Sequence, residues 1–542
     1  MDEFILKGSP CTFPKIDKGF GEYFFEQAEK NADNVFQIDG DTGKQETYKD
    51  VKRRSTRVAL YLQKIGLKSK DIVLLCCKNN LDNIVPALAA QYLGALVGSV
   101  DPKQTVSDVK HCLELLEPKV LVVEKDSLDL LEQSLKSTNQ KPHIITIGST
   151  YKYPNMLEIE MEAQGEENFK PMKQKDSDIA AIVFSSGTTS APKGIYITNW
   201  SLLNIAGPLI QQNSIKVGVI VHFASLYWIS AWLMSGVCIV TGTAKVIAPD
   251  VKAERFLQLV DKYKVTHMFT SNTYTYQLTS LPEEVIKKYD TSSLYAIGIG
   301  GSTMDPNQII RMRNYFPYTN VVLGYGSSEA NYIACHDLTN QKAVREKISS
   351  SGSVLPDVQI KLIDLNGTEK PVGPNQEGEI HIKSNFIMSG YHKYSKPDIY
   401  DKDGFLKSGD VGYYDQDGYL YVTDRISEMF KYKTNQISPT VLDNIIAQHP
   451  AVKEALAFGV PHFVDRNHAA ACVVIKANAK VTPTELEEFV NKQVSDAYKL
   501  RGGVMILESL PKSATGKYLR RTARDLFIKF KNDIENNNTY NI

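Results

Sequence analysis

The chain has no excess of charge of either sign, no paired cysteines and no leader pattern at its start. Lys plus Arg and Asp plus Glu both number 62. No net field is left to hold a polyanion by counterion release, so nucleic-acid binding is not expected. The seven cysteines, Cys11, Cys76, Cys77, Cys112, Cys238, Cys335 and Cys472, are scattered, odd in number and never spaced as Cys-x-x-Cys. That argues against a disulfide framework or a zinc knuckle, and for a reducing compartment. Met1-Asp2-Glu3-Phe4 is acidic where a signal peptide would be basic and then apolar. Thr539-Tyr540-Asn541-Ile542 is not a Ser-Lys-Leu peroxisomal address, so a cytoplasmic location is expected.

One run lacks charge altogether: residues 217–244 contain no Asp, Glu, Lys or Arg and are numerous enough to cross a bilayer. His222 and several serines, threonines and glycines interrupt it. A helix buried between two faces of a large protein produces the same pattern, and no transmembrane segment is expected. At 542 residues the chain is too long for one hydrophobic core and should divide into several packed units. Its 42% hydrophobic and 23% charged residues disfavour disorder, collagen and coiled coil.

From Asp71 the pattern alternates as a doubly wound α/β fold requires. Residues 72–77 are an apolar strand run, 83–93 have helical spacing, 119–124 and 144–147 are strand-like, and 127–135 repeat apolar residues at three and four. The alternation resumes with strand 179–184, helix 253–263 and strand 266–270, and reaches the glycine-rich stretch Ile297-Gly298-Ile299-Gly300-Gly301. A parallel α/β sheet is implied. Beyond about Ser349 short alternating runs, 358–363 and 379–382, are punctuated by Asn366-Gly367 and Asp403-Gly404, which are hairpin signals of an antiparallel β region. After Asp424-Arg425 come a helix capped at Ser438-Pro439, strands at 455–459 and 470–475, and a helix opening at Thr482-Pro483, the size of a separate α+β domain. The polar segment Glu535-Asn536-Asn537-Asn538 is expected to fray. The expected division is an N-terminal domain over 1–424, with α/β subdomains to about 348 and a β-rich region over 349–424, and a C-terminal domain over 425–542.

The stretch Phe184-Ser185-Ser186-Gly187-Thr188-Thr189-Ser190-Ala191-Pro192-Lys193-Gly194 directly follows an apolar strand. Small residues let backbone approach a polyanion, N–H groups and hydroxyls donate to its oxygens, and a lysine adds charge. By composition alone it is equally an ordinary Ser/Gly loop. It resembles the phosphate loop of the adenylate-forming superfamily, which includes acyl-CoA synthetases, peptide-synthetase adenylation domains and beetle luciferases. Three further motifs match in order: Gly324-Tyr325-Gly326-Ser327-Ser328-Glu329 resembles the adenine and magnesium motif, Ser408-Gly409-Asp410 with Asp424-Arg425 resembles the ribose motif and hinge, and Pro511-Lys512-Ser513-Ala514-Thr515-Gly516-Lys517 resembles the C-terminal lysine motif. Lys431-Tyr432-Lys433 and Leu500-Arg501-Gly502-Gly503-Val504 are similar to the insect luciferase-like acyl-CoA synthetase branch.

The resemblance implies two doubly wound α/β subdomains plus a β-rich subdomain, hinged to a small mobile α+β domain. It implies ATP-dependent activation of a carboxylic acid to acyl-AMP, then thioester formation with CoA, with Mg2+ as the metal. Ser186, Gly187, Thr188, Thr189 and Lys193 would hold the departing phosphates. Gly300, Gly301 and Ser302 would line the base pocket, with Gly324, Tyr325 and Gly326 beside adenine. Glu329 and Ser328 would bind magnesium, because a hard cation wants oxygen ligands. Asp410 and Arg425 would take the ribose, although an Asp after Ser-Gly also caps turns. Lys517 would stand between the carboxylate and the α-phosphate, and Lys431 would serve the second step after rotation of the small domain about 424–427. His222, Phe223, Ala224 and Tyr227 would line the acyl pocket, while a satisfied core histidine and ordinary aromatic packing remain open for them. Partners are small molecules only, with a monomer or weak dimer expected.

Four departures from the family pattern matter. Ser190 stands where glycine is usual, Thr434 replaces the glycine after Tyr432-Lys433, and Ser427 replaces a Lys or Asp at the hinge. Val221-His222-Phe223-Ala224-Ser225 puts Phe where beetle luciferases carry Gly, so a luciferin would need another pose and light emission is not expected. Two alternatives stay open: an adenylating, luciferase-like enzyme with poor CoA transfer, and a nucleotide- or acid-binding pseudoenzyme.

Overall fold

The structure is a computed structural model. It describes residues 4–185, 192–249, 252–301, 304–366, 368–395, 397–433, 435–512 and 517–539, without the side chains of 273, 397 and 534–539. Ser186, Gly187, Thr188, Thr189, Ser190, Ser302 and Thr434 lie outside the described residues.

The alternating first half folds into two sheets. One has six strands in the order His143–Ile147, Val120–Glu124, Ile72–Cys76, Leu96–Val100, Ile179–Phe184 and Gly194–Thr198; all neighbours are parallel except the last pair. Ile72–Cys76 is buried on both faces, as a parallel strand between helix layers must be. The second sheet has seven strands, in the order Asn320–Leu323, Ala296–Gly300, His267–Ser271, Val219–His222, Ala244–Ile247, Val35–Asp39 and Gln45–Thr47. Its last two strands come from before Asp71, where the sequence pattern shows no alternation: the chain starts in the second sheet, leaves to build the first, and returns.

The uncharged run is strand Val219–His222, helix Ile229–Thr241 and the start of strand Ala244–Ile247. Trp232 on the helix is fully buried and donates from its indole to the Leu226 carbonyl at 2.9 Å. Among the described residues no helix is long and apolar enough to cross a membrane.

Five antiparallel strands follow in the order Ile5–Lys7, Val358–Asp364, Gly378–Ser384, Leu406–Tyr414 and Leu420–Arg425. Asn366 does not sit in a two-residue hairpin turn: strands Val358–Asp364 and Gly378–Ser384 are joined through residues 365–377, and Val372 donates back to Leu362 at 2.8 Å. The Asp403-Gly404 turn is present, with Gly404 donating to Asp401 at 3.0 Å.

The chain leaves this sheet at Arg425 and enters another at Phe430. The C-terminal sheet has the order Asn435–Ile437, Phe430–Tyr432, Arg466–Ile475, Val452–His462, with Gly503–Ile506 parallel to Arg466–Ile475. Ser438 caps helix Pro439–Ala447, and Thr482 with Glu485 forms a capping box on Pro483–Asn491, as their sequence signatures indicate. The expected fraying of 535–538 is not seen: helix Arg520–Thr539 runs through them, anchored near its start by buried Ala523 and Phe527 and extended by cooperative propagation.

Candidate active site

The strand ends of the second sheet converge with the β-rich region and the C-terminal domain, where open α/β sheets place ligands. Gly300 ends strand Ala296–Gly300, and Gly301 follows at φ +93°, a left-handed value that glycine adopts without strain. Gly324 donates to the Ile299 carbonyl at 2.9 Å and packs so closely that a Cβ there would lie 1.9 Å from the Tyr332 hydroxyl. A side chain at 324 would have to displace the Tyr332 ring.

Tyr325 is buried, and its hydroxyl donates to Asp410 Oδ2 at 2.8 Å. Arg425 Nε meets Asp410 Oδ1 at 2.9 Å. Burial pushes the Asp410 carboxyl up, and Arg425, Tyr325 and Lys517 oppose the shift. Strand register sets the pair, because Asp410 lies opposite Arg425 across adjacent antiparallel strands.

Lys517 comes from the far end of the C-terminal domain. It keeps one side open to solvent, yet loss of water around it, then the Arg425 charge, holds its ammonium below the ordinary lysine range. Asp410, Glu329 and Glu428 pull the other way. One cation from the small domain therefore stands within electrostatic reach of both Asp410 and Glu329. The junction is braced around it: Arg520 binds Glu428 at 2.9 Å and Asp443 at 2.9 Å, and Asp424 accepts from the Ser438 hydroxyl at 2.5 Å. Ser427 is exposed in the connecting turn.

The neck of the serine-threonine loop is described although its tip is not. Ser185 donates to the Lys193 carbonyl at 2.9 Å, and the Lys193 amide returns to Ser185 Oγ at 3.2 Å. The Lys193 ammonium lies 4.3 Å from the ring centroid of Tyr394 and 5.6 Å from that of Tyr391. Tyr391 in turn donates to Glu329 Oε1 at 3.4 Å. The sequence reading missed both tyrosines, and the run Gly390-Tyr391-His392-Lys393-Tyr394 was their only signal. Glu329 and Ser328 are half-buried. Their oxygen donors and partial access fit a hard divalent cation.

His222 ends strand Val219–His222 and is buried, and its carbonyl accepts from Asn79 at 2.8 Å. Burial, then the Lys245 charge, pushes its imidazole down to about 3, so it is neutral near pH 7. The neighbouring aromatics diverge. Phe223 packs against Phe256 and Tyr274 in the helix layer of the second sheet, while Tyr227 is buried against Phe184 and Trp228 at the first sheet. Ala224 is half-buried between them. Lys431 lies exposed on strand Phe430–Tyr432, where its carbonyl accepts from Asn467 at 3.0 Å.

Lys245 was also missed. It is 7% exposed, its ammonium donates to Ser235 Oγ at 3.1 Å, and no carboxylate pairs with it among the described residues.

A glycine-lined strand end, an acid–arginine pair and a lysine delivered by the second domain come together here. The chain belongs to the AMP-binding enzyme family: the family model matches residues 24–392, and the model of the AMP-binding enzyme C-terminal domain matches 442–517. It is 28% identical to the luciferin 4-monooxygenase of Photuris pensylvanica over 98% of this chain and 100% of that protein. It is 30% identical to a probable 4-coumarate–CoA ligase of Dictyostelium discoideum over 91% of this chain and 92% of that protein. The solved luciferase-like enzyme from the nonluminescent Zophobas morio mealworm is 40% identical, with a TM-score of 0.75 over 79% of this chain and 100% of that one.

Proposed function

We propose that this chain is an AMP-forming acid–CoA ligase in which Lys517, Asp410 and Glu329 act as one electrostatic unit. A carboxylate oxygen attacks the α-phosphorus of ATP, the bridging P–O bond breaks, and pyrophosphate leaves with the electron pair. The CoA sulfur, having lost its proton, then attacks the acyl carbon and AMP leaves. Two anions must meet in the first step, so charge neutralisation and alignment carry the catalysis.

In this reading Lys517 bridges the incoming carboxylate and the α-phosphate. Asp410 and Arg425 hold the ribose, Tyr325 stands beside adenine, and Gly300, Gly301, Ser302, Gly324 and Gly326 shape the base pocket. Ser186, Gly187, Thr188, Thr189 and Lys193 hold the phosphates. Glu329 and Ser328 would hold Mg2+, which when bound neutralises phosphate charge. His222, neutral, positions the carboxylate, and Phe223, Ala224 and Tyr227 bound the acyl side. Lys431 serves the thioester step after rotation about the turn that follows Arg425.

The observation that carries the reading is Lys517: a C-terminal-domain ammonium whose electrostatic surroundings include Asp410, Arg425 and Glu329. The relatives named 4-coumarate–CoA ligases support an aryl acid and CoA as substrates. ATP–pyrophosphate exchange across a panel of aryl, fatty and branched acids tests it, with Lys517→Ala alongside. Exchange that depends on acid and magnesium and collapses in the variant is the expected result. Absence of exchange with every acid would overturn the reading.

A second reading, adenylation with slow CoA transfer, has one support. Lys433 and Thr434 join paired Tyr432 and Asn435, and Lys433 has φ +53°. Two-residue hairpin connections with positive φ favour glycine, which this chain does not supply at either position.

A further inference from the structure

The hairpin of strands Val452–His462 and Arg466–Ile475 carries a second group of chemistry-bearing side chains, none of them shared with the nucleotide site. Val460 pairs with His468 and His462 with Arg466. Side chains alternate faces along a strand, so His462 and His468 fall diagonally on the same face of the hairpin. Asp465, in the turn between them, points its carboxylate at both: Oδ2 is 2.9 Å from His468 Nε2 and 3.6 Å from His462 Nδ1. The two imidazole rings stack with centroids 3.8 Å apart and planes 18° apart. One ligand atom from each of the three residues lies within 4.8 Å of the others, the one such grouping among the described residues, and the site is empty.

We propose that His462, Asp465 and His468 bind a divalent transition-metal ion of the zinc class, with water completing the shell. Donors at zinc distances on a tetrahedron are separated by about 3.3 Å, which the observed 2.9 and 3.6 Å bracket. The His462 Nδ1 lone pair accepts from the Asp465 amide at 3.1 Å, and stacked, near-parallel rings do not share an ion in both ring planes, so binding turns one imidazole out of the stack. A metal exchanges this bond for coordination, and His468 releases its contact with the carboxylate by carrying its proton on Nδ1. Lys433 stands on the other carboxylate oxygen, 3.8 Å from Oδ1, which leaves Oδ2 for the ion. Two imidazole nitrogens with one oxygen select zinc, nickel or cobalt over magnesium, so this site does not compete for the cation expected at Glu329.

The turn is tied to the strand that carries Lys431. Lys433 N donates to the Asp465 carbonyl at 2.8 Å, and Asn467 donates to the Lys431 carbonyl at 3.0 Å. A bound ion therefore stiffens this edge of the small domain. Any effect on thioester formation rests on the role proposed for Lys431, whereas binding itself does not.

Titration of the full chain with ZnCl2 by calorimetry, and with Co2+ by visible absorption, tests the site. The expected result is one tight ion per chain, with binding weakened at least about tenfold in His462→Ala and His468→Gln and unchanged in His449→Ala. Glutamine at 468 keeps a donor toward Asp465, so its thermal midpoint should match the wild type and separate lost metal from lost fold. Wild-type affinity in folded His468→Gln, or no binding to the wild type at about 100 μM Zn2+, which is weaker than about −5.5 kcal/mol, would overturn the proposal.

Discussion

The Tyr325 hydroxyl and the Asp410 carboxylate, 85 residues apart in the chain, are joined by a buried hydrogen bond of 2.8 Å. It ties strand Tyr325–Ser327, which follows Gly324, to strand Leu406–Tyr414, which carries the acid proposed for ribose. Arg425 holds the other carboxylate oxygen, so Asp410 is oriented from both sides.

Tyr325→Phe removes one of the groups that keep Asp410 ionised against its burial. Its pKa should rise further, and the acid limb of ATP binding should move to higher pH. The cost in stability is about 1 to 2 kcal/mol, because a buried acceptor loses a donor. A pH series of KM for ATP checks the shift, and an unmoved limb would refute it.

Lys517→Ala should lower ATP–pyrophosphate exchange by about 100-fold or more, with ATP binding changed little, since the lysine's charge counts in the transition state. CoA transfer from pre-formed acyl-AMP should persist. Equal losses in both half-reactions would place Lys517 in both steps and contradict the assignment.

Three buried histidines set an acid limit on stability. Burial pushes His222 down to about 3, and His267 and His336 to about 4. The folds around them explain the neutrality: His267 Nε2 accepts from the Lys216 amide at 3.2 Å, and the Nδ1 of His336 is buried without a partner. Between pH 6.5 and 4 the unfolded chain takes up protons that the folded chain refuses, so stability falls as pH falls through that window. Each group contributes on the order of 3 kcal/mol by pH 4. Denaturant midpoints measured from pH 7 to 4 should decline, with a shallower slope in His267→Gln.

Lys245 is a buried ammonium whose hydrogen-bond partner is a serine. Burial holds its pKa below the ordinary lysine range. The desolvation cost is present in full below the folded pKa, and as pH rises above it the folded state sheds its proton before the unfolded one, so stability increases toward the usual lysine range. Lys245→Met should stabilise the chain by about 1 to 3 kcal/mol at pH 7 and flatten that rise. Thermal melts at pH 7 and 9.5 distinguish this from a loss of packing, which would lower both midpoints.

Thr434→Gly, which supplies glycine in the two-residue connection between Tyr432 and Asn435, should raise the rate of CoA transfer while leaving pyrophosphate exchange unchanged. Rates of both half-reactions decide it. No gain in the second would remove the support for the slow-transfer reading.

Local pattern determined much of this protein. Helix Ala253–Tyr263 matches its apolar spacing, Ser438 and Thr482 cap the helices their sequences announce, and Ile72–Cys76 and Ile179–Phe184 are strands because short apolar runs buried on both faces have few alternatives. These are interactions between near neighbours in the chain, which is why they can be read from order alone. Tertiary structure decided which distant residues meet. Only the return of the chain to the second sheet explains why strand Val35–Asp39 lies beside Ala244–Ile247, and only strand register brings Asp410 to Arg425. Tyr391 joins Glu329 across 62 residues, and His462, Asp465 and His468 become one group because a hairpin folds their period-two faces together. Lys245 looks like any surface lysine in the sequence, and burial between strand and helix alone makes it costly. Motifs name residue types, but a charge acquires its chemical character from what packs around it, and that depends on contacts between parts of the chain that the linear order keeps far apart.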